Sequence, residues 1–147
     1  MYNFLKIIWI FFLGFFCLFT STIYANEKIK IGLLVPVTGD NKELGQQIVK
    51  STRIALKDIG SDEIEIYLKD TNSNPNKTIE SAIELNKMGI KIVIGPVFYK
   101  NLVYLEEVED ITFLSLTNRT IGLPKNVISA GINATSQLNS IKKFIET

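Results

Sequence analysis

From residue 28 onward, short apolar runs alternate with longer stretches in which apolar side chains recur every three or four positions. Residues 28–35 (KIKIGLLV) begin with strand-like alternation and end in continuous apolarity. Over residues 40–59, Leu44, Ile48, Ala55, Leu56 and Ile59 share one helical face, and Gly60 follows as a left-handed stop. Asp40 or Asn41 is placed to cap the first turn of that helix. Residues 63–69 (EIEIYLK) alternate again, with Ile64, Ile66 and Leu68 to one side. Asn74 before Pro75 forms an N-cap and first-turn pair, which predicts a second helix with Ile79, Ala82, Ile83 and Asn86 inward and Gly89 at its end. Residues 90–94 predict a third strand closed by Gly95-Pro96, residues 100–108 a short helix, and residues 111–116 a fourth strand.

Strand starts about 30 residues apart, bridged by amphipathic helices, are the spacing of βαβ units. Their near-continuous Ile, Val and Leu predicts strands buried on both faces. The expected class is therefore α/β: a parallel sheet flanked by helices on both faces, Rossmann-like. Residues 127–132 read as a fifth strand whose connection from residue 116 is too short for a helical crossover, which leaves its direction open. Residues 136–147 predict a last helix with Leu138, Ile141 and Ile145 on one face. An apolar stripe left uncovered at the end of the sequence leads us to expect that the natural chain continues.

The first 25 residues have a different texture. A short basic start ending at Lys6 leads into residues 7–19, which are apolar and crowded with aromatics, and a small, polar stretch ends at Ala25. This is the layout of a secretory signal peptide cleaved after Ala25. Thirteen apolar residues rise only ~20 Å as a helix, short of the ~30 Å hydrocarbon core, so the anchor reading is the weaker one. Cys17, the single cysteine, follows Phe15 and Phe16 where a lipidation site wants small residues, so it reads as a discarded hydrophobe. The mature chain is then expected to have no disulfide and to rest on its core alone.

Charge and composition narrow the chemistry. The net charge is +1, and removing the leader with Lys6, its one charge, leaves a neutral body. Interspersed charges of both signs give no footprint for nucleic acid. There is no histidine. His-based general bases, Ser-His and Cys-His nucleophile pairs and His or Cys metal sites are thereby removed, and a non-enzyme without metal or cofactor is expected.

In an open parallel sheet, ligands bind beyond the carboxyl ends of the strands, where strand order switches. The loops that qualify are 36–41, 70–74, 95–100 and 117–123. They contain neither G-x-G-x-x-G nor G-x-x-x-x-G-K-[ST], so nucleotide-binding readings lose their key residues. They offer Thr38, Tyr99, Ser115, Thr117, Asn118 and Thr120, with Arg119 as a cation. Such groups, with helix N-termini, suit a carboxylate or a polar zwitterion. Asp70, before Asn and Pro residues, reads as turn and cap chemistry rather than as an acid catalyst. The run Glu106, Glu107, Glu109 and Asp110 reads as a solvated helix end. Sequons at Asn76, Asn118 and Asn133 read as chance in an Asn-rich chain.

The segment Lys30-Ile31-Gly32-Leu33-Leu34-Val35-Pro36-Val37-Thr38-Gly39 resembles the opening of type I periplasmic binding proteins, the group of the branched-chain amino-acid receptors. Leu44-Gly45-Gln46, Tyr67-Leu68-Lys69-Asp70 leading to Pro75, and Ile92-Val93-Ile94-Gly95-Pro96 continue the likeness over residues 28–147. Gly95-Pro96-Val97-Phe98, the stretch from Phe113 to Arg119, and Gly131 before a helix containing Gln137 resemble the penicillin-binding-protein activator branch more closely. Ser51 stands where transport receptors usually have Gly, and the loop after the third strand lacks their Ser-rich stretch, with Tyr99 and Asn101 near that place. The resemblance implies a periplasmic protein in which two lobes close on a ligand. Residues 26–133 would form the N-terminal lobe, and residues 134–147 a helix leading into a second lobe. It further implies that Thr38, Gly39, Val97, Phe98, Tyr99, Thr117, Asn118 and Arg119 line the cleft. The implied partners are a small polar ligand such as an amino acid, with a membrane transporter permease in the receptor branch or a cell-wall synthase in the activator branch.

Overall fold

The computed structural model describes residues 28–146. The leader read at residues 1–25, with Cys17, lies outside the described residues. Five parallel strands form one sheet in the order β2-β1-β3-β4-β5: β1 (Ile29–Val35), β2 (Ile64–Asp70), β3 (Ile92–Ile94), β4 (Thr112–Ser115) and β5 (Val127–Ser129). Helix α1 (Lys42–Ile59) bridges β1 and β2, α2 (Pro75–Lys87) bridges β2 and β3, and α3 (Ala134–Ile145) follows β5. The first connection steps one way along the sheet and the later ones step back, so right-handed crossovers put α1 on one face and α2 on the other. Among the described residues no helix is long and apolar enough to cross a membrane.

The core lies on the α2 side. Leu34, Val93, Phe113 and Val127 point there from four strands and meet Ala82, Leu85, Ile90, Leu102 and Leu105, all buried. Each fully buried Leu or Phe contributes about 1.5–3 kcal/mol of transfer free energy. Gly32 of β1 makes the close approach of α2 possible, since a Cβ there would lie 2.8 Å from both Leu85 and Val93 side-chain carbons. That slot turns α2 away from the stripe its periodicity predicts. Thr78, Ser81, Ala82 and Leu85 are inward, whereas Ile83 is exposed.

The opposite face is more open. α1 packs on β1 and buries only Gly45 completely. Leu44 and Ile59, expected inward, are exposed, as are Ile92 and Ile128 on that side of the sheet. The helix predicted over residues 100–108 is instead two 3-10 turns, Tyr99–Leu102 and Leu105–Glu107, parted by Tyr104 at φ +69°. β5 proves parallel to β4, and its connection crosses without a helix. Asn126 secures that connection, its side-chain amide donating to the carbonyls of Leu105 (2.9 Å) and Val108 (3.0 Å).

Candidate functional site at the strand exits

The sheet order reverses between β1 and β3, so the loops leaving their carboxyl ends flank one crevice. The β1 exit is organised by Asp70, the last residue of β2. Its carboxylate accepts from Val37 N (2.9 Å), Thr38 N (3.3 Å), Thr38 Oγ1 (2.5 Å), Asn72 N (2.9 Å) and Lys77 Nζ (2.5 Å). Burial pushes this carboxyl up, but the bonds from Lys77, Thr38, Asn72 and Val37 together outweigh it and hold it well below the usual carboxylate range. Asp70 thus stays ionised with its lone pairs engaged, which is the turn chemistry expected of it and leaves no free base. Thr38, predicted to meet ligand, spends its hydroxyl on this hub. Gly39, at φ +77°, passes so close to Asn72 that a Cβ would sit 2.1 Å from its Oδ1.

Asn41 occupies the N-cap position of α1 but makes no side-chain cap; its amide donates to Ser73 Oγ at 3.0 Å instead. The first turn of α1 is therefore left without a side-chain acceptor at the crevice end of the sheet. α2 differs, because Asn74 Oδ1 accepts from Lys77 N at 3.1 Å as the Asn-Pro signature predicts.

The β3 exit begins at Gly95, whose φ is +107° and whose added Cβ would lie 2.1 Å from Leu34 O, and continues through a cis bond to Pro96. Val97, Phe98 and Tyr99 follow, all partly exposed. Phe98 starts the first 3-10 turn through its carbonyl, which accepts from Asn101 N at 2.9 Å. Asn101 itself is buried away from the crevice, bonded to Thr78 Oγ1 of α2 at 3.1 Å.

At the β4 exit, buried Ser115 donates to Pro96 O (2.9 Å) and accepts from Thr117 N (3.3 Å), tying two exits together. Thr117 is buried too, and its hydroxyl accepts from Arg119 N at 3.3 Å. Asn118 is exposed. Arg119 turns back on its own loop: Nε donates to Ile121 O at 3.1 Å, and the guanidinium carbon stands 3.8 Å from the centroid of the Tyr99 ring. The predicted residues thus gather into two sets, Thr38 and Gly39 around Asp70, and Tyr99 with the Thr117–Arg119 loop. Ser115 as an organiser was missed in its role, though its position at a strand end was legible.

Curated relatives point the same way. A Leu/Ile/Val-binding protein homolog of Brucella abortus is 34% identical over 77 residues, 48% of this chain and 21% of the relative. The chain therefore spans about a fifth of the length of the curated relatives it matches. A leucine-binding protein, LivK, of Thermotoga maritima superposes with a TM-score of 0.60 at 22% identity, over 67% of this chain and 31% of that one. The fold is that of the type I periplasmic binding proteins. Within that superfamily, the C-domain of LpoA from Haemophilus influenzae, described as a regulator of PBP1A, superposes with a TM-score of 0.61 at 25% identity, over 78% of this chain and 37% of that domain. No protein-family model matches the sequence. Both kinds of superfamily member, solute binder and regulator, thus share this lobe with the chain.

Proposed function

We propose that residues 26–133 form the N-terminal lobe of an exported, periplasmic solute-binding protein that captures a small polar molecule, such as an amino acid, for a membrane transporter permease. Residues 134–147 lead into a second lobe that completes the cleft by hinge closure. The observation that carries this reading is the reversal of strand order at β1/β3, with the start of α1 lacking a side-chain cap at the same end of the sheet. Such a helix start favours a carboxylate. Thr38, Gly39, Val97, Phe98, Tyr99, Thr117, Asn118 and Arg119 line this side of the cleft, and Asn118 is the polar side chain most available to a solute. We read the site as binding rather than catalytic, because Asp70, the carboxylate that organises the β1 exit, is engaged by five donors.

One lobe buries one side of a ligand, whereas pockets bury ~70–90% of its surface. Calorimetry of this chain with amino acids is therefore expected to show weak or undetectable binding; a submicromolar Kd would sink the one-lobe account. Reading the gene past codon 147 tests the receptor itself. A second lobe of βα pattern supports it, and a stop codon there removes it.

A second reading is favoured by the internal commitments of the crevice, where Thr38 is held by Asp70 and Arg119 by Tyr99. The wider coverage of this chain by LpoA than by LivK adds to it. In that reading the protein is an activator-like domain that contacts a cell-wall synthase, and its cleft is vestigial. Replacing Thr117 and Asn118 with Ala separates the two: a receptor loses solute binding, and an activator keeps its partner.

A further inference from the structure

β2 forms one edge of the sheet, with β1 on its inner side and no strand on its outer side among the described residues. Its pairing with β1 runs unbroken over 7 residues, from Ile29 with Ile64 to Val35 with Asp70, so this edge is long and free of bulges. It also contains no proline. Proline, a bulge or a very short strand commonly blunts an exposed edge, and β2 uses none of them. The hydrogen bonds at its two ends fix which backbone groups face outward. Glu63 O accepts from Ile29 N at 2.6 Å, and Thr71 N donates to Val35 O at 3.1 Å, so the odd-numbered residues turn their peptide groups toward β1. Direction alternates along a strand, which leaves Ile64, Ile66 and Leu68 presenting N–H and C=O at the outer edge. Those groups have no partner among the described residues.

The side chains divide by the same alternation. Tyr67 and Lys69 lie on the α2 side, where Tyr67 packs against the core and Lys69 pairs with Glu84 at 2.5 Å. Glu65 lies with them and accepts from the Tyr67 hydroxyl at 2.9 Å. Ile64, Ile66 and Leu68 take the other side, where Leu68 is 42% exposed. Every second position of the strand thus carries an acid, a tyrosine and a base in turn: Glu65, Tyr67 and Lys69. Read backwards, that pattern is its own complement.

We propose that β2 pairs antiparallel with β2 of a second copy of this chain, about a two-fold axis at Tyr67, and so joins two sheets into one. In this register each Glu65 stands opposite Lys69 of the other copy, and Tyr67 opposite its twin. These are the closely spaced, non-hydrogen-bonded positions, where cross-strand side chains lie nearest one another. Ile66 stands opposite Leu68 of the other copy at a hydrogen-bonded position, which satisfies the outward groups of both and gives Leu68 an apolar neighbour. Charge selects this register over its neighbours. A pairing centred on Ile66 sets Asp62 opposite Asp70 of the other copy, and one centred on Glu65 sets that carboxylate against itself. The pairing edge is the one opposite β5, from which α3 leaves, and it does not use the strand exits. It therefore stands whichever function the crevice serves.

The test is sedimentation velocity of the full chain from about 10 μM to about 1 mM, with amide hydrogen exchange over the same range. A reversible rise from the mass of one copy to that of two is expected. The amides of Ile66 and Leu68 should exchange roughly fivefold or more slowly at the top of the range than at the bottom. Glu65→Lys and Lys69→Glu each set like charges opposite one another and are expected to weaken association roughly tenfold or more. Mixed together, the two variants regain both opposite-charge pairs and should form a heterodimer within about fivefold of the parent's affinity. The proposal is overturned if the parent is still a single copy at about 1 mM, or if a dimer forms that neither variant weakens. It is also overturned if the mixed variants stay apart while circular dichroism shows both folded. Should either variant fail to fold, exchange at Ile66 and Leu68 in the parent decides alone, and rates independent of concentration overturn it.

Discussion

Replacing Asp70 gives the sharpest test of how the strand exits are built. Five donors from four residues converge on its carboxylate, three of them backbone amides that hold the β1–α1 loop and the turn after β2. Hydrogen bonds to a charged group are worth about 1.5–3 kcal/mol each in isolation, but bonds sharing one acceptor are far from additive. Lys77 is 42% exposed, so its ion-pair part is screened and adds little. Asp70→Ala leaves the Val37, Thr38 and Asn72 amides without this acceptor and is expected to cost about 3 kcal/mol. Asp70→Asn keeps one oxygen for the amides but turns an NH₂ toward Lys77 and Thr38, for about 1–2 kcal/mol. With a urea slope of about 1.5 kcal/mol/M, the alanine variant should unfold about 2 M earlier by far-UV circular dichroism.

Acid adds a second readout. The folded carboxyl lies below its unfolded value of ~3.9, so the stability it supplies is complete above about pH 5 and is lost as pH falls through the unfolded and then the folded value. The gap between parent and Asp70→Asn should therefore narrow from about pH 7 to about pH 3. A gap under about 0.5 kcal/mol at neutral pH, or one that acid leaves unchanged, would refute the hub.

Two further substitutions probe the framework. Gly45→Ala would place a Cβ 1.9 Å from Pro36 O, so the clash should outweigh the helix-propensity gain of up to about 1 kcal/mol and lower the melting temperature. An unchanged or raised value would show that the start of α1 yields freely. Asn126→Asp exchanges an amide that donates to two carbonyls for a carboxylate facing them. It should destabilise by about 2–4 kcal/mol in urea and by more than Asn126→Ala, an order that the opposite result would contradict.

The strands were legible because a parallel sheet covered by helices needs nearly continuous apolar runs, and KIKIGLLV and KIVIG supply them. The Asn74-Pro75 start was legible because its chemistry is local. What failed depended on contacts between distant residues. Nothing within residues 75–87 reveals that Gly32, on another strand, opens the slot that draws Leu85 inward and leaves Ile83 exposed. The direction of β5 was hidden for a similar reason, since Asn126 pins a helix-free crossover through carbonyls of the preceding connection. At the site, position was readable and role was not. Thr38, Thr117 and Arg119 sit at strand exits, yet their polar groups are taken up by Asp70, by the Arg119 amide, and by Tyr99 with the Ile121 carbonyl.

The junction between β5 and α3 has a mechanical meaning. Ser129 Oγ donates to Thr117 O at 2.9 Å and Ala130 N to Ser115 O at 2.8 Å, while Gly131 lies so near Thr117 O that a Cβ would be 2.2 Å from it. The base of α3 is thus riveted to the loop that holds Asn118 and Arg119, while no residue of α3 itself is buried. A load on α3 would therefore reach the Thr117 peptide through the Ser129 hydrogen bond and the close approach of Gly131. Because Ser115 and Ser129 end β4 and β5, the same contacts couple the base of α3 both to the Thr117–Arg119 loop and to the edge of the sheet.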